Sequence, residues 1–457
     1  MEAELIQERQ LLEEALEAAR DTRFLEVEGG ARHRAAAVFS SLFGSRRAVV
    51  VADENTFAAA GRDVQDSFAR MAHACGEPFI FGSDVHAAYP FMEKLYAALK
   101  TSDAIPVAAG SGTINDLTKL AAHRLNRPYM VVATAASMDG YTAFGASITH
   151  EGSKQTFDCP APYAVLADLD VIAAAPAGMN ASGYADLLAK RAAGADWMLA
   201  DAAGVEAIDA PCWNAVQGLL RSWLASPGGV ARGDRACLRN LVYGLMMSGF
   251  AMQAMRSSRP ASGAEHQFSH LWDMQEHTHN GAAPSHGFKV GIGTLASLAL
   301  HAELLERDRA DFDIEGAVQC WPSREALEEQ IAASLGGGLG AKAQQETRAK
   351  YPAREALREQ LTRLRDGWPQ LQARLRRHLF TFAEARDMLR EAGCAFEPEQ
   401  IGISRERLRA SYRQAYFIRR RFTVLDFAER WGLTRCALDN IFGRGGPWPL
   451  EGTDARP

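Results

Sequence analysis

Short apolar runs, each closed by a polar loop and followed by a segment of helix length, alternate from Ala48 to Asp170. That alternation restricts this part of the chain to a parallel α/β sheet. Ala48–Ala52 is β-branched and uninterrupted, as a strand buried on both faces is. It ends at Asp53-Glu-Asn-Thr56, and a helix is expected from about Phe57. Pro78–Phe81, Ala104–Ala109 and Tyr129–Ala133 read as further strands, with helices over Ala88–Lys100 and Leu117–Leu125. A charged amphipathic helix, Glu4–Ala19, precedes them all. Ligands of such sheets sit beyond the carboxyl ends of the strands, where the polar loops fall.

Beyond Ala164–Asp170 the texture changes. From Pro176 nearly every segment has helical spacing: Ser182–Asp201, Ala236–Arg256, Gly287–Glu306, Arg324–Leu335, and a last helical section from Pro398 to Phe442. The expected fold class is α/β plus all-α. Residues 1–172 form the sheet domain with its N-terminal helix, residues 173–445 an all-helical domain, and residues 446–457 a flexible Gly/Pro-rich tail. Cys212–Asp234, with Pro227-Gly228-Gly229 inside it, is expected to be loop-rich, and a break is expected around Gly336–Gln345. A chain of 457 residues suffices for two such cores. A formal net charge of −6 excludes a general nucleic-acid binder, and Arg419-Arg420-Arg421 reads as a solvated face. The seven cysteines are scattered singly without a CxxC pair, which fits a reducing cytosol rather than a disulfide framework or thiolate zinc site. The acidic N-terminus is unlike a signal peptide, and no run of about eighteen apolar residues is present, so no membrane span is expected. These features predict a soluble, cytoplasmic protein.

Several residues carry chemistry. Asp53, ending a strand, can accept the ribose hydroxyls of a nicotinamide cofactor or simply cap the following helix. The Gly110–Asp116 segment joins strand to helix. Its glycines allow close backbone approach, and the helix start offers N–H groups to a pyrophosphate. It is not GxGxxG, and a plain turn accounts for it equally well. Pro260–Gly293 holds five of the twelve histidines: His266, His270, His277, His279 and His286. His266 and His270 share one face of a helix. Asp186 stands four residues before Lys190, the spacing of a surface ion pair, yet its neighbours Gly183, Ala185, Leu187 and Leu188 are poor company for a solvated face. Asp186, His266 and His286 can converge as one carboxylate and two imidazoles. Three protein ligands leave a position open for substrate, the pattern of catalytic metal sites.

VVVADENT (49–56), GSGTINDLTK (110–119), TAASMDGYT (134–142), GYADLLAK (183–190), SSRPASGAEHQFSH (257–270) and HGFKVGIGTL (286–295) follow one another in the chain. In these motifs the sequence resembles the sn-glycerol-1-phosphate dehydrogenases, the bacterial ones most. They belong to the group that also holds iron-dependent alcohol dehydrogenases, glycerol dehydrogenases and dehydroquinate synthases. The resemblance runs from about Arg46 to Phe442. It implies a Rossmann-like dinucleotide-binding domain, a helical metal-binding domain, and an active site in the cleft between them. It also implies reversible reduction of dihydroxyacetone phosphate to sn-glycerol 1-phosphate by NADH or NADPH, in a homodimer. Asp53 would take the adenosine ribose, and Gly110, Ser111, Gly112, Thr113 and Ile114 the pyrophosphate. Thr134 and Ser137 would lie near the nicotinamide. Asp186, His266 and His286 would hold one divalent ion, zinc or nickel first and iron as a further choice. Asp139, Asp186 and His270 would meet the substrate, with His270 supplying a proton rather than binding metal. Arg259 and Lys289 are the candidates for the substrate phosphate. His277 and His279 match no family role and read as loop histidines. Ala143 stands where members of the family often carry Ser, which removes one cofactor hydrogen bond. The competing expectations are a polyol dehydrogenase acting on unphosphorylated glycerol, a dehydroquinate-synthase-like lyase that keeps its NAD without net turnover, and a non-catalytic metal- or nucleotide-binding protein.

Overall fold

The structure, a computed structural model, describes residues 2–151 and 153–450. A six-stranded sheet has the order β1-β8-β5-β4-β2-β3, built from β1 (Phe24–Glu28), β2 (Ala48–Asp53), β3 (Phe79–Phe81), β4 (Ile105–Gly110), β5 (Met130–Ala133) and β8 (Ala164–Asp168). Every pairing in it is parallel. β6 (Ala146–His150) and β7 (Ser153–Phe157) form a separate antiparallel ribbon. One face of the sheet presents alternate residues (Val50, Val107, Val132, Leu166) to Phe39, Val64 and Phe68, the period-two burial expected of strands.

Sequence reasoning missed β1 and the ribbon. β1 is an edge strand, FLEVE, whose Glu26 and Glu28 interrupt the apolar run; pairing with β8 from Phe24↔Ala164 to Glu28↔Asp168 holds it in place. At its end the buried Asp168 accepts from the backbone N–H groups of Gly30 (3.1 Å) and Arg32 (2.9 Å) and from Arg32 Nη1 (2.9 Å). Burial pushes the Asp168 carboxyl up, but the Arg32 backbone and guanidinium outweigh it and hold it below the usual carboxylate range.

From β2 the chain moves outward to β3, then returns across β2 to β4. The strand order therefore reverses between β2 and β4, and the carboxyl ends of those strands are Asp53 and Gly110. This is the topological switch point at which open parallel sheets form a ligand crevice.

By packing, the chain forms two compact units. One comprises residues 1–187, 211–261 and 391–393, the other residues 188–210, 262–390 and 394–457. Residue 172 thus follows the last strand but is not where packing divides the chain. Helix Arg235–Met255 packs on β1, on helix Glu2–Ala18 and on helix Leu169–Ala174, and so stays with the sheet. Cys212–Asp234 is not loop-rich. It contains the short helices Ala210–Gln217, Leu220–Trp223 and Pro227–Ala231, and Leu220, Trp223 and Val230 are buried. Pro227 opens the last of these, a position where its missing N–H costs nothing.

The expected break at Gly336–Gln345 shrinks to one turn at Gly336-Gly337, with Gly337 at φ +57°, after which helix Gly337–Lys350 runs on. In the tail, Glu451–Pro457 lie outside the described residues. Residues 446–450 are anchored, because the fully buried Trp448 packs on Phe382 and Phe442 and donates its backbone N–H to Ile441 O (3.1 Å). Among the described residues one helix, His286–Leu305, is long and apolar enough to cross a bilayer, but 83% of its apolar window is buried inside the protein.

Candidate functional site

At the β2 end, Asp53 caps the next helix. Its Oδ1 accepts from Thr56 N–H (2.9 Å), while Thr56 Oγ1 accepts from Asp53 N–H (3.0 Å). At the β4 end, helix Gly112–Arg124 begins well before the expected Leu117, because Gly112–Asp116 form its first turns instead of a loop. The glycines here serve close packing. A Cβ on Gly110 would lie 2.5 Å from Ile114 Cβ, and one on Gly112 would lie 2.5 Å from Met138 Cε. Ser111, at the N-cap, makes no side-chain bond to the helix. The buried Thr134 donates its N–H to Gly110 O (3.2 Å).

A residue that sequence reasoning passed over organises this region. Lys119 is buried on the same helix and donates to the carbonyl oxygens of Gly140 (3.0 Å), Ala143 (2.8 Å) and Gly145 (3.0 Å). An ammonium has three N–H donors, and all three are used. Asn115 adds a bond to Gly140 O (3.4 Å) and accepts from Tyr129 OH (3.0 Å). The only cue in the sequence is a lysine set among Leu117, Leu120, Ala121 and Ala122 on the buried side of a helix. Lys119→Met should destabilise the protein by about 3 kcal/mol or more, since three carbonyls lose their donor; the shift in the urea midpoint measures it. The Ala143 side chain packs with Met252 and Ala261, so the position often taken by Ser is apolar here.

The segment after β5 lies against the first half of helix Ala177–Ala202. Ala136 N–H donates to Asn180 Oδ1 (3.1 Å), and Ser182 Oγ donates to Ser137 O (3.2 Å). Gly183 makes this approach possible, because a Cβ there would overlap the carbonyl oxygen of Ala136. Asp139 N–H then donates to Asp186 Oδ2 (3.0 Å), and Ser248 Oγ donates to Asp139 Oδ2 (2.9 Å). Both carboxylates are oriented by these bonds. Ser248, Asn180 and Ser182 were not singled out from the sequence, where each is one small polar residue in a helical segment.

His266 and His270 lie on helix Ala264–Met274, and His286 opens helix His286–Leu305 behind the N-cap Ser285. The rings of His266 and His286 are 5.4 Å apart, and those of His266 and His270 are 6.1 Å apart. One ligand atom from each of Asp186, His266 and His286 lies within 4.8 Å of the other two. Ligand atoms bonded to one ion at about 2.0–2.2 Å stand no more than about 4.4 Å apart, so at most a small inward shift lets these three share one, and two imidazoles with one carboxylate suit a divalent ion that keeps open positions. The donor set therefore fits a catalytic metal. His270 is not part of the group of three.

Two further candidates are Lys289 and Arg259. Lys289 is buried and ion-paired with Asp273. Arg259 is fully buried, with its N–H on Ser257 Oγ (3.2 Å). Of the basic run, only Arg420 matches the expected solvated face, paired with Glu346 (Nη2, 2.8 Å). Arg421 and Arg419 turn onto Ser262, at its O (2.6 Å) and Oγ (3.4 Å), just before the helix that carries His266.

His277 does lie in a loop, but it is a buried latch. Its Nε2 is 2.7 Å from Ile401 O, and its Nδ1 meets Arg407 Nη1 at 2.8 Å. Burial lowers its pKa, against the raising effect of the Ile401 bond. A folded-state pKa below the unfolded value of about 6.5 means that the unfolded chain takes up the proton first. The contribution of His277 to stability is therefore complete above about pH 6.5 and is lost as pH falls toward the folded pKa, with a slope of at most about 1.4 kcal/mol per pH unit. Urea unfolding between pH 5 and 8 should show a shallower decline for His277→Gln than for wild type.

Comparison with known proteins adds a family. Residues 26–176 match the model for iron-containing alcohol dehydrogenase. The glycerol-1-phosphate dehydrogenase (NAD(P)+) of Halalkalibacterium halodurans is 32% identical over 285 residues, 60% of this chain and 69% of that protein. The enzyme of the same name from Geobacillus stearothermophilus is 30% identical over 388 residues, 83% of this chain and 86% of its own. Among solved structures, a probable glycerol dehydrogenase from Sinorhizobium meliloti superposes with a TM-score of 0.58 at 16% identity, over 91% of this chain and 97% of its own. Glycerol dehydrogenase from Schizosaccharomyces pombe gives 0.59 at 16% identity, over 94% and 93%. At that identity the likeness speaks for the fold alone.

Proposed function

Because the chain belongs to the glycerol-1-phosphate dehydrogenase family of NAD(P)-dependent oxidoreductases, we propose that it reversibly reduces dihydroxyacetone phosphate to sn-glycerol 1-phosphate. The observation that carries this reading is the approach of Asp186, His266 and His286 to within 4.8 Å. When bound, a divalent ion supplies stabilisation of the negative charge developing on the ketone oxygen, and a nicotinamide supplies the hydride. Asp186, His266 and His286 are the residues that would hold the ion, with zinc or nickel the first choices. The Asp139 N–H fixes the rotamer of Asp186. Asp139, its own carboxylate held by Ser248, orients a substrate hydroxyl. His270, one helical turn from His266 and outside the ligand set, is assigned the proton that the product oxygen takes up.

The first turn of helix Gly112–Arg124, with Gly110, Ser111, Gly112, Thr113 and Ile114, is assigned the cofactor pyrophosphate. Thr134 and Ser137 are assigned the nicotinamide end. Asp53 is assigned the ribose; its charge repels a 2′-phosphate, which favours NADH over NADPH. Arg259 and Lys289 are the proposed phosphate contacts. A cytoplasmic homodimer completes the reading, and seven cysteines scattered singly along the sequence suit a reducing compartment.

The test is chiral analysis of the product formed from dihydroxyacetone phosphate and NADH, with metal content measured on the same sample. The expected product is sn-glycerol 1-phosphate, from protein holding one divalent ion per chain. Undiminished turnover in metal-free protein, or faster oxidation of unphosphorylated glycerol than of sn-glycerol 1-phosphate, would overturn the proposal.

A further inference from the structure

We propose that Glu265 is a positioning residue for the metal site: its carboxylate takes the Nδ1–H of His266 and so turns Nε2 of that ring to the ion. The inference rests on reading Asp186, His266 and His286 as metal ligands. Glu265 Oε1 lies 2.8 Å from His266 Nδ1 and also accepts the N–H of Gly263 at 2.6 Å, so the carboxylate is held from a second direction. The backbone beneath it is held too. A Cβ on Gly293 would overlap the carbonyl oxygen of Glu265, so the helix that His286 opens packs directly onto the residue that orients His266.

The two nitrogens of an imidazole are not equivalent, and the hydrogen bond made by one decides which of them binds metal. A carboxylate at Nδ1 fixes the tautomer and the ring plane and makes the ring a stronger donor. Electrostatics point the same way. Glu265 is fully buried, and its Oε2 has no hydrogen-bond partner among the described residues. Arg419, whose guanidinium feels the charge of Glu265, donates to Ser262 Oγ instead. A buried carboxylate with one oxygen unbonded is costly unless positive charge lies near it, and Arg419 is one such charge. A divalent ion bound beside His266 would be a second, its two charges matched by Asp186 and Glu265. No metal-ligand spacing in the sequence marks Glu265, because it serves another side chain and not the ion.

The experiment measures Zn²⁺ affinity of the full chain, stripped by chelation, in competition with a chromophoric chelator, together with thermal unfolding of the metal-free forms. For Glu265→Gln the expected result is a dissociation constant raised about 10–100-fold, with a metal-free melting temperature no lower than wild type. Zn²⁺ affinity within twofold of a tightly binding wild type would overturn the role of Glu265 while leaving the metal site standing. Failure of wild type itself to bind Zn²⁺ would overturn the metal reading and this inference with it. Wild-type protein alone gives an independent check. In ¹⁵N-histidine NMR of the Zn²⁺ form, the resonance lost in His266→Gln should be a ring protonated at Nδ1, and protonation at Nε2 would overturn the assignment.

Discussion

Asp186→Asn should leave the protein folded, strip it of bound metal, and lower turnover by about a thousandfold. Asparagine has nearly the shape of aspartate, and its amide oxygen can still accept from Asp139 N–H, now 3.0 Å from Asp186 Oδ2. What disappears is the one charged member of the proposed ligand set. A Lewis acid at a developing oxyanion contributes several kcal/mol. At about 1.4 kcal/mol per tenfold in rate, a loss of about 4 kcal/mol gives that factor. Metal analysis, initial rates with added Zn²⁺ or Ni²⁺, and unfolding of the metal-free forms check the three parts separately. If the variant kept a tenth of wild-type turnover without metal, the mechanism would be wrong.

The second large effect is expected at a residue with no side chain at all. Gly183→Ala should destabilise the protein by about 3 kcal/mol and raise KM for the nucleotide. In a helix, alanine is favoured over glycine by about 1 kcal/mol. Here the new methyl would meet the Ala136 carbonyl, with its carbonyl carbon only 2.8 Å away. Two backbones cannot part as a side chain can, so overpacking, at about 1–3 kcal/mol or more, outweighs propensity. The displaced segment is the one that carries Thr134, Ser137 and Asp139. Gly178 on the same helix is an internal control: a Cβ there meets nothing within 4 Å, so Gly178→Ala should be neutral or slightly stabilising. Urea unfolding of both variants, with KM and kcat measured separately, decides the matter.

These residues also show what could be read from the chain before its structure. β2, β4 and β5 were legible because strands buried on both faces are apolar throughout. β1 was not, since an edge strand tolerates Glu26 and Glu28. Gly112–Asp116 looked like a loop because glycine, asparagine and aspartate are turn residues, yet here they start a helix whose glycines are set by contact with neighbours. Asp186 and the histidines stood out as polar groups in apolar company or in a cluster. Lys119 and Glu265 did not, because one serves backbone carbonyls and the other serves a histidine. Neither task leaves a repeat or a spacing. Arg419 and Arg421 looked like surface charge because their partner, Ser262, lies more than 150 positions away in the chain.

The ammonium of Lys119 clamps the helix proposed to cradle the diphosphate onto the stretch from Gly140 to Gly145. Mechanically the two are a single jaw. A dinucleotide gripped as proposed would have its diphosphate held by a body that continues into the loop just beyond Asp139, so slack introduced at the diphosphate end should blur the aim of the hydride at the other.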